Sequence, residues 1–599
     1  MGVILNTNYR VTDGNTNRVG WPRGEDGKTP WAYQRIARDA AAYRQAGFTA
    51  VQLPPFTKGG SGAYSDGYDK FDDYDIGSKN QCFSKPTAFG DAEMLRQCVA
   101  SIHAHGMQAY GDLVLHQYGG GNDGVYKPLA ADGVSATGRF PKHPSCFVGA
   151  APRVPVDPVP DGQGNFAFGD MASYVNSTPR GYMRDGAIAA AGWLTRTTGI
   201  DGWRVDDVKG TNAGLVHDLL TSEALADKWA FGEYFDGNNG ALWNWVNRDM
   251  GRRAGVLDFG FKFNAGNVCN NNTRVWMGQL ANAGYCNVDP AMAVTFVESA
   301  DTDSSLGEQV IWNKMLGYAL LLTFPGYPSV YYRDWSDDPG CYGLKAPINN
   351  LIWIHETLAN GDFVPRLDTD PQVFVHERTG WQDLPGCLCV FNNDRYHGYT
   401  RTVQTAFGAN QELHEYTGNG PYNNHWTDGQ GRLTFSVPPN NNGMSYMVFA
   451  RPVASSGFGW RPVPTTQTFF GASDLDIPPL RDGVCEIGRV WCAEGTTLSA
   501  ALQVARAGWS GESTARLAVL DAEGSVLAEK ALPGEEALPD EEALPGEEAL
   551  PSAGTAPGEQ AALSLKIVRA GWHGLRVEAA GMPPEGSEFE LEVRYVGGA

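Results

Sequence analysis

The chain has 599 residues and a formal net charge of −22, from 46 Lys and Arg against 68 Asp and Glu. So acidic a surface repels nucleic acid and anionic membranes, which excludes both as expected partners, whereas a neutral polysaccharide is indifferent to it. The length and an apolar content of 42% imply three or four globular domains, and no run is long and apolar enough to span a bilayer.

The stretch GVILNTNYR, Gly2 to Arg10, reads as a first strand, with neither the basic head nor the apolar core of a signal peptide. If the protein is secreted, as we expect, its targeting segment belongs upstream of this sequence. An amphipathic helix follows over Trp31–Gly47, then a strand over Phe48–Pro55, an acidic loop over Ser65–Gly77 and a helix within Thr87–Gly106. YGDLVLHQ, Tyr110 to Gln117, alternates apolar residues, carries Asp112 and stops at His116 and Gln117. The next helix, Pro179–Gly199, comes only after roughly sixty residues rich in Gly, Pro and Asp, a length that calls for a task of its own.

GWRVDDVKG, Gly202 to Gly210, is the centre of the sequence. Side chains alternate along a strand, so Arg204 and Asp206 project from one face. Alone, this pair fits a structural ion pair as well as a site. Two further apolar runs end in acids, however: WAFGEYF, Trp229 to Phe235, with Glu233, and AVTFVESADTD, Ala291 to Asp303, with Glu298, Asp301 and Asp303. Polar residues collected at the ends of strands that alternate with helices are the pattern of an α/β (β/α)8 barrel, whose site forms at the C-terminal ends of parallel strands. Ala254–Asn264 reads as the sixth strand and Pro328–Trp335 as the eighth.

Retaining cleavage of a glycosidic bond needs one carboxylate to attack the anomeric carbon and one carboxylic acid to protonate the leaving oxygen, about 5 to 5.5 Å apart. Asp206 beside Arg204 suits the ionised role. Glu233 among Phe231, Tyr234 and Phe235 suits the neutral one.

The four stretches, in order, resemble the four sequence signatures of the α-amylase family of glycoside hydrolases. That resemblance implies Asp206 as nucleophile, Glu233 as general acid/base and Asp301 as the acid that steadies the transition state. It further implies substrate contacts from Arg204, Tyr68, Gln117 and Lys209, with starch or a related α-glucan as substrate and a monomeric protein. The implied activity is hydrolysis of α-1,4 bonds to maltooligosaccharides. A transglycosylase or cyclodextrin-type enzyme of the same family is the alternative, and a non-catalytic glucan-binding protein a third reading that the three intact acids oppose.

By the same resemblance the barrel occupies residues 1–116 and 179–360, an inserted small domain after strand 3 occupies 117–178, and an antiparallel β-sandwich occupies 361–452. The family's insert and barrel share a structural calcium ion, for which Asp170 is the matching acidic ligand and the Gly210 carbonyl a further oxygen. The chain departs from the pattern here, because the family's asparagine ligand is His116, and calcium prefers oxygen to imidazole nitrogen. Two family histidines that bind sugar are replaced by Gln117 and Ala300, and the histidine after Lys209 is Gly210.

Residues 453–599 lie beyond the resemblance and read as an accessory all-β domain with an acidic low-complexity loop over 531–554. RAGW occurs at Arg506–Trp509 and again at Arg569–Trp572, a hint of a duplicated unit; Trp509 and Trp572 could stack on starch or stabilise a sandwich. Trp243, Trp245 and Trp335 are either sugar platforms or core. Ten cysteines show no zinc spacing, and Cys269 with Cys286 and Cys485 with Cys492 are close enough in sequence to pair, the alternative being buried thiols.

Overall fold

The computed structural model describes residues 2–9, 20–21, 24–130, 132–135, 138–157, 169–271, 275–303, 308–453, 463–471, 479–507, 509–510, 512–532, 560–569 and 571–597. Eight parallel strands close a barrel: β1 Ile4–Asn6, β2 Ala50–Gln52, β3 Gln108–Leu113, β4 Gly202–Val205, β5 Trp229–Gly232, β6 Gly255–Leu257, β7 Ala293–Phe296 and β8 Tyr327–Tyr331. Neighbours in sequence are neighbours in the ring, and β1 closes it against both β2 and β8. Ile4, Ala50, Tyr110, Phe231 and Val294 fill the interior, so the barrel is a packed plug whose chemistry is left to its rim.

Outside the ring run α1 Ala32–Gln45, α2 Ala92–Ala104, α3 Tyr182–Thr198, α4 Ala213–Leu220, α5 Asn239–Asn244, α6 Phe259–Asn270, α7 Lys314–Leu321 and α8 Lys345–Thr357. Their starts are written in side chains: Asp91 accepts from Met94 N at 2.9 Å, and Asn212 from Leu215 N at 3.0 Å. The sixth strand is shorter than Ala254–Asn264. Asp258 ends it by accepting from Phe261 N at 2.9 Å, which starts α6 with no intervening turn. The eighth likewise stops at Tyr331, and Tyr332–Trp335 is a single helical turn.

Between β3 and α3 the chain makes the insert, in which Gln117–Tyr118 pairs antiparallel with Asp170–Met171. Lys142 fastens it to the barrel loops: its Nζ lies 2.5 Å from Asp73 Oδ2, while Lys70 Nζ lies 2.8 Å from the other oxygen of the same carboxylate. Opposed ammonium groups hold the Asp73 carboxyl well below the usual range, against the effect of its burial.

After the barrel, a six-stranded antiparallel sheet and the Tyr399–Gln404/Arg432–Val437 ribbon enclose a second core. The accessory domain is two four-stranded antiparallel sheets packed against α2, which contributes Ala104 to its core. The described residues of both RAGW copies sit where the chain crosses from one of these sheets to the other. Trp509 packs on that core and donates to Ser587 Oγ at 2.8 Å, and Trp572 stands opposite Trp491 in a strand pair. Of the acidic run, residues 533–554 lie outside the described residues. All ten cysteines are free thiols. Cys485 and Cys492 cannot pair within one extended strand, where seven residues span about 23 Å.

Candidate active site

The parallel register sets Arg204 on β4 beside Asp112 on β3 and Phe231 on β5. Ladder bonds continue past the strand ends: Asp206 N donates to Leu113 O at 3.0 Å and Glu233 N to Val205 O at 2.9 Å, which brings both acids to the rim. Arg204 Nη1 donates to Asp112 Oδ1 at 2.7 Å and to Asp206 Oδ1 at 2.6 Å, and its Nη2 lies 2.6 Å from Glu233 Oε2. One planar fork therefore holds Asp206 and Glu233 side by side, with a gap no wider than the guanidinium and its two bonds. Two carboxyl groups so placed can flank a single sugar linkage.

Burial is the main force on their protonation. It pushes the Glu233 carboxyl up to about 8; Arg204 opposes the rise, and the charges of Asp206, Asp301 and Asp207 add to it. Asp206 rises only to about 6, by burial and then by Asp112, Asp207 and Asp301 against Arg204. Near neutral pH Glu233 thus holds its proton while Asp206 is ionised. Arg204 touches both acids, so it does not separate them by contact with Asp206 alone, as the sequence suggested.

Asp301 follows β7, and its charge raises Asp206, Glu233 and Tyr68 alike, so all four share one space. Tyr68 donates its hydroxyl to Asp112 Oδ2 at 3.0 Å and receives a hydrogen bond from Asn8, and its ring lies 5.8 Å from the Arg204 guanidinium carbon. Gln117 Nε2 donates to Tyr68 O at 3.1 Å and reaches Asp206 Oδ2 at 3.4 Å, leaving its buried Oε1 without a partner among the described residues. Lys209 Nζ contacts Asp236 Oδ2 at 3.1 Å and Phe235 O at 3.3 Å, beside the Glu233 loop. Trp245 and Trp335 are core, at 0% and 2% exposure, and only Trp243, at 40%, is open.

Sequence reasoning missed the roles of Asp112, Asn8 and Asp207. Asp112 was visible as an acid inside an apolar strand, yet its partner is set by register. Asp207, next to the nucleophile position, has φ of 35°, and its Oδ2 lies 3.0 Å from His116 Nδ1.

The residues around Asp170 do not fit calcium. Its Oδ1 accepts from Arg153 Nη2 at 2.5 Å and its Oδ2 from Tyr126 OH at 2.8 Å, so a cationic side chain already occupies the carboxylate. The nearby Asp157 is equally engaged, by Ser173 Oγ at 2.6 Å, Val175 N at 2.9 Å and Asn176 N at 3.0 Å. Among the described residues no three His, Cys, Asp or Glu gather as a metal cluster. Nor is any helix among them long and apolar enough to cross a membrane.

No family model matches the chain. Among individual proteins, the chain is 26% identical over 405 residues to a glucan 1,4-alpha-maltohexaosidase of Bacillus sp. (strain 707), covering 58% of this chain and 75% of that one. It is 26% identical over 445 residues to the cytoplasmic alpha-amylase of Escherichia coli (strain K12), covering 62% and 86%. Its fold is similar to an Anoxybacillus alpha-amylase with a TM-score of 0.55 at 16% identity, over 76% of this chain and 98% of that one. It is similar also to gamma-CGTase from the alkalophilic Bacillus clarkii with a TM-score of 0.55 at 20% identity, over 83% and 76%. With four signatures in order, a closed barrel that brings their acids to one rim, and relatives of this kind, the chain is similar in sequence and fold to the α-amylase family of glycoside hydrolases.

Proposed function

We propose that the protein hydrolyses α-1,4-glucosidic bonds of starch and related α-glucans, with retention, to give maltooligosaccharides. One observation carries this reading: a single guanidinium holds Asp206 and Glu233 together while their surroundings leave one charged and the other protonated.

An Asp206 oxygen attacks the anomeric carbon as the bond to the leaving oxygen breaks, and the Glu233 proton passes to that oxygen. The product is one free sugar chain and a glycosyl ester on Asp206. Water then attacks the anomeric carbon as the bond from that carbon to the Asp206 oxygen breaks, and gives its proton to Glu233, which restores both groups. Positive charge on the sugar ring is greatest midway through each step, where the Asp301 carboxylate opposes it. Gln117 offers its unpartnered Oε1 to a sugar hydroxyl, Tyr68 stacks at the cleavage point, and Lys209 serves the leaving-group side.

A second reading, transfer of the glycosyl group to another sugar or into a ring, is favoured by the likeness to gamma-CGTase, which extends over 83% of this chain. Both readings use the same acids and differ in the acceptor.

The test is chromatography of soluble-starch products over time for the natural chain, Glu233→Gln and Asp206→Asn. Linear maltooligosaccharides from the natural chain, with each variant slower by about a thousandfold or more, are expected. A Glu233→Gln chain that retains a tenth of the rate would overturn the assignment, and rings or new linkages would favour transfer.

A further inference from the structure

We propose that His116, Asp207 and Gly210 form a metal-free latch that holds the nucleophile turn, with Asp207 as a positioning residue for Asp206 and Glu233. The latch joins the loops after β3 and β4, the junction for which the resemblance implied calcium.

Asp207 is held from every side. Its Oδ1 accepts from Gly210 N at 2.9 Å and its carbonyl from Thr211 Oγ1 at 2.9 Å, while its Oδ2 lies 3.0 Å from the buried His116 Nδ1, an ion-pair distance without hydrogen-bond geometry. Its own N–H points to Glu233 Oε2 at 3.4 Å. One residue therefore touches the segments that follow β3, β4 and β5. Its φ of 35° is one that residues with a Cβ adopt rarely, and these contacts maintain it.

Gly210 is required by the same geometry. A Cβ there would come within 2.5 Å of Asp207 Oδ2 and 3.1 Å of His116 Cε1, so any side chain at 210 would push the pair apart. Two of the departures from the family pattern, His116 for asparagine and glycine for histidine at 210, are thus tied through Asp207 into one mutually dependent set. Beside it lies a cavity of about 20 Å³ lined by His116, Asp157, Gly210 and Thr211, space for a single water. The carboxylate in that wall, Asp157, is saturated by N–H and O–H donors, and an imidazole replaces the amide oxygen; a hard cation finds too few oxygens.

The positioning half of the proposal rests on the glycosidase reading, and the metal-free half does not. For the latter, the full chain is stripped with EDTA, titrated calorimetrically with calcium chloride, and melted in EDTA and in excess calcium. No binding heat and melting temperatures within about 1 °C are expected; micromolar binding, or a fall of several degrees in EDTA, would overturn the proposal.

For the positioning half, His116→Asn, Asp207→Asn and the double variant are assayed on a chromogenic maltooligosaccharide. Each single change is expected to lower kcat about 10- to 100-fold with KM within about threefold, and the double variant to match the worse single one. Asp207→Asn also moves the basic limb of the pH profile to lower pH, because the Asp207 charge helps keep Glu233 protonated. A loss of folding alone would leave that limb in place. Unchanged kcat, effects that multiply in the double variant, or an unmoved limb would each refute the latch.

Discussion

Replacing Asp112 by Asn removes one negative charge from the guanidinium nitrogen that Asp112 shares with Asp206. The two oxygens lie 2.7 and 2.6 Å from that nitrogen, hence at most about 5 Å from each other. At an effective dielectric constant near 20, two unit charges at about that distance repel by about 3 kcal/mol, equivalent to about two pKa units, of which Asp112, itself pushed up to about 6 by burial, exerts only a part where Asp206 titrates. Asp206, which burial and then Asp112 help to raise to about 6, should lose its proton at lower pH once that repulsion is gone. Asparagine preserves the size of the side chain and an oxygen for Arg204, so the effect of charge is separated from that of shape. The acid limb of kcat/KM is expected to move down by about one to two units, with a loss of maximal kcat of about tenfold from the weakened anchoring of Arg204. Initial rates on a chromogenic maltooligosaccharide across the acid range read this directly. A limb that stays in place, or moves up, would show that Asp206 is not the group being titrated and would refute the electrostatic account.

Three further outcomes follow from the same geometry. For the natural chain, kcat/KM should fall as pH drops through about 6, where Asp206 gains a proton, and as pH rises through about 8, where Glu233 loses one; the two apparent values belong to the pair, and a flat profile across that range would contradict both shifts. Gln117→Ala should lower kcat/KM about tenfold with little change in melting temperature, since it removes a sugar contact while, among the described residues, its side chain bonds only Tyr68 O and Asp206 and its strand pairing with Met171 is backbone. Lys142→Met should destabilise the junction of insert and barrel by about 2 to 4 kcal/mol, because Asp73 keeps Lys70 as its buried cation beside the neutral Tyr118 hydroxyl; faster proteolytic cleavage within the insert is the readout.

What could be read from the sequence was local, and what could not was set by contact between distant segments. Strand ends bearing Arg204, Asp206, Glu233 and Asp301 stand out because an apolar run gives way abruptly to charge, and that change survives without knowledge of the fold. The partner of Arg204 did not stand out, since Asp112 is 92 residues earlier in sequence and becomes its neighbour only through the β3–β4 register. The boundary at Asp258 was hidden for a different reason: strand and helix share one apolar stretch, and the cap is a single side chain. Trp245 and Trp335 were equally compatible with core and cleft because composition carries no information on which way an indole points. His116 was legible as a departure, but its partner Asp207 is 91 positions further along.

Arg204 is shared by Asp112, Asp206 and Glu233, three acids on one cation, and Asp301 adds a further acid to the same field. The rim is therefore electron-rich before any sugar arrives, and it is tuned to a guest more positive than a neutral glucan. An amine carried where the anomeric carbon would lie should be captured more tightly than the substrate itself, and more so at a pH where Asp206 is ionised. The deficit of positive charge that makes bond breaking easy also makes the cleft vulnerable to basic sugar mimics.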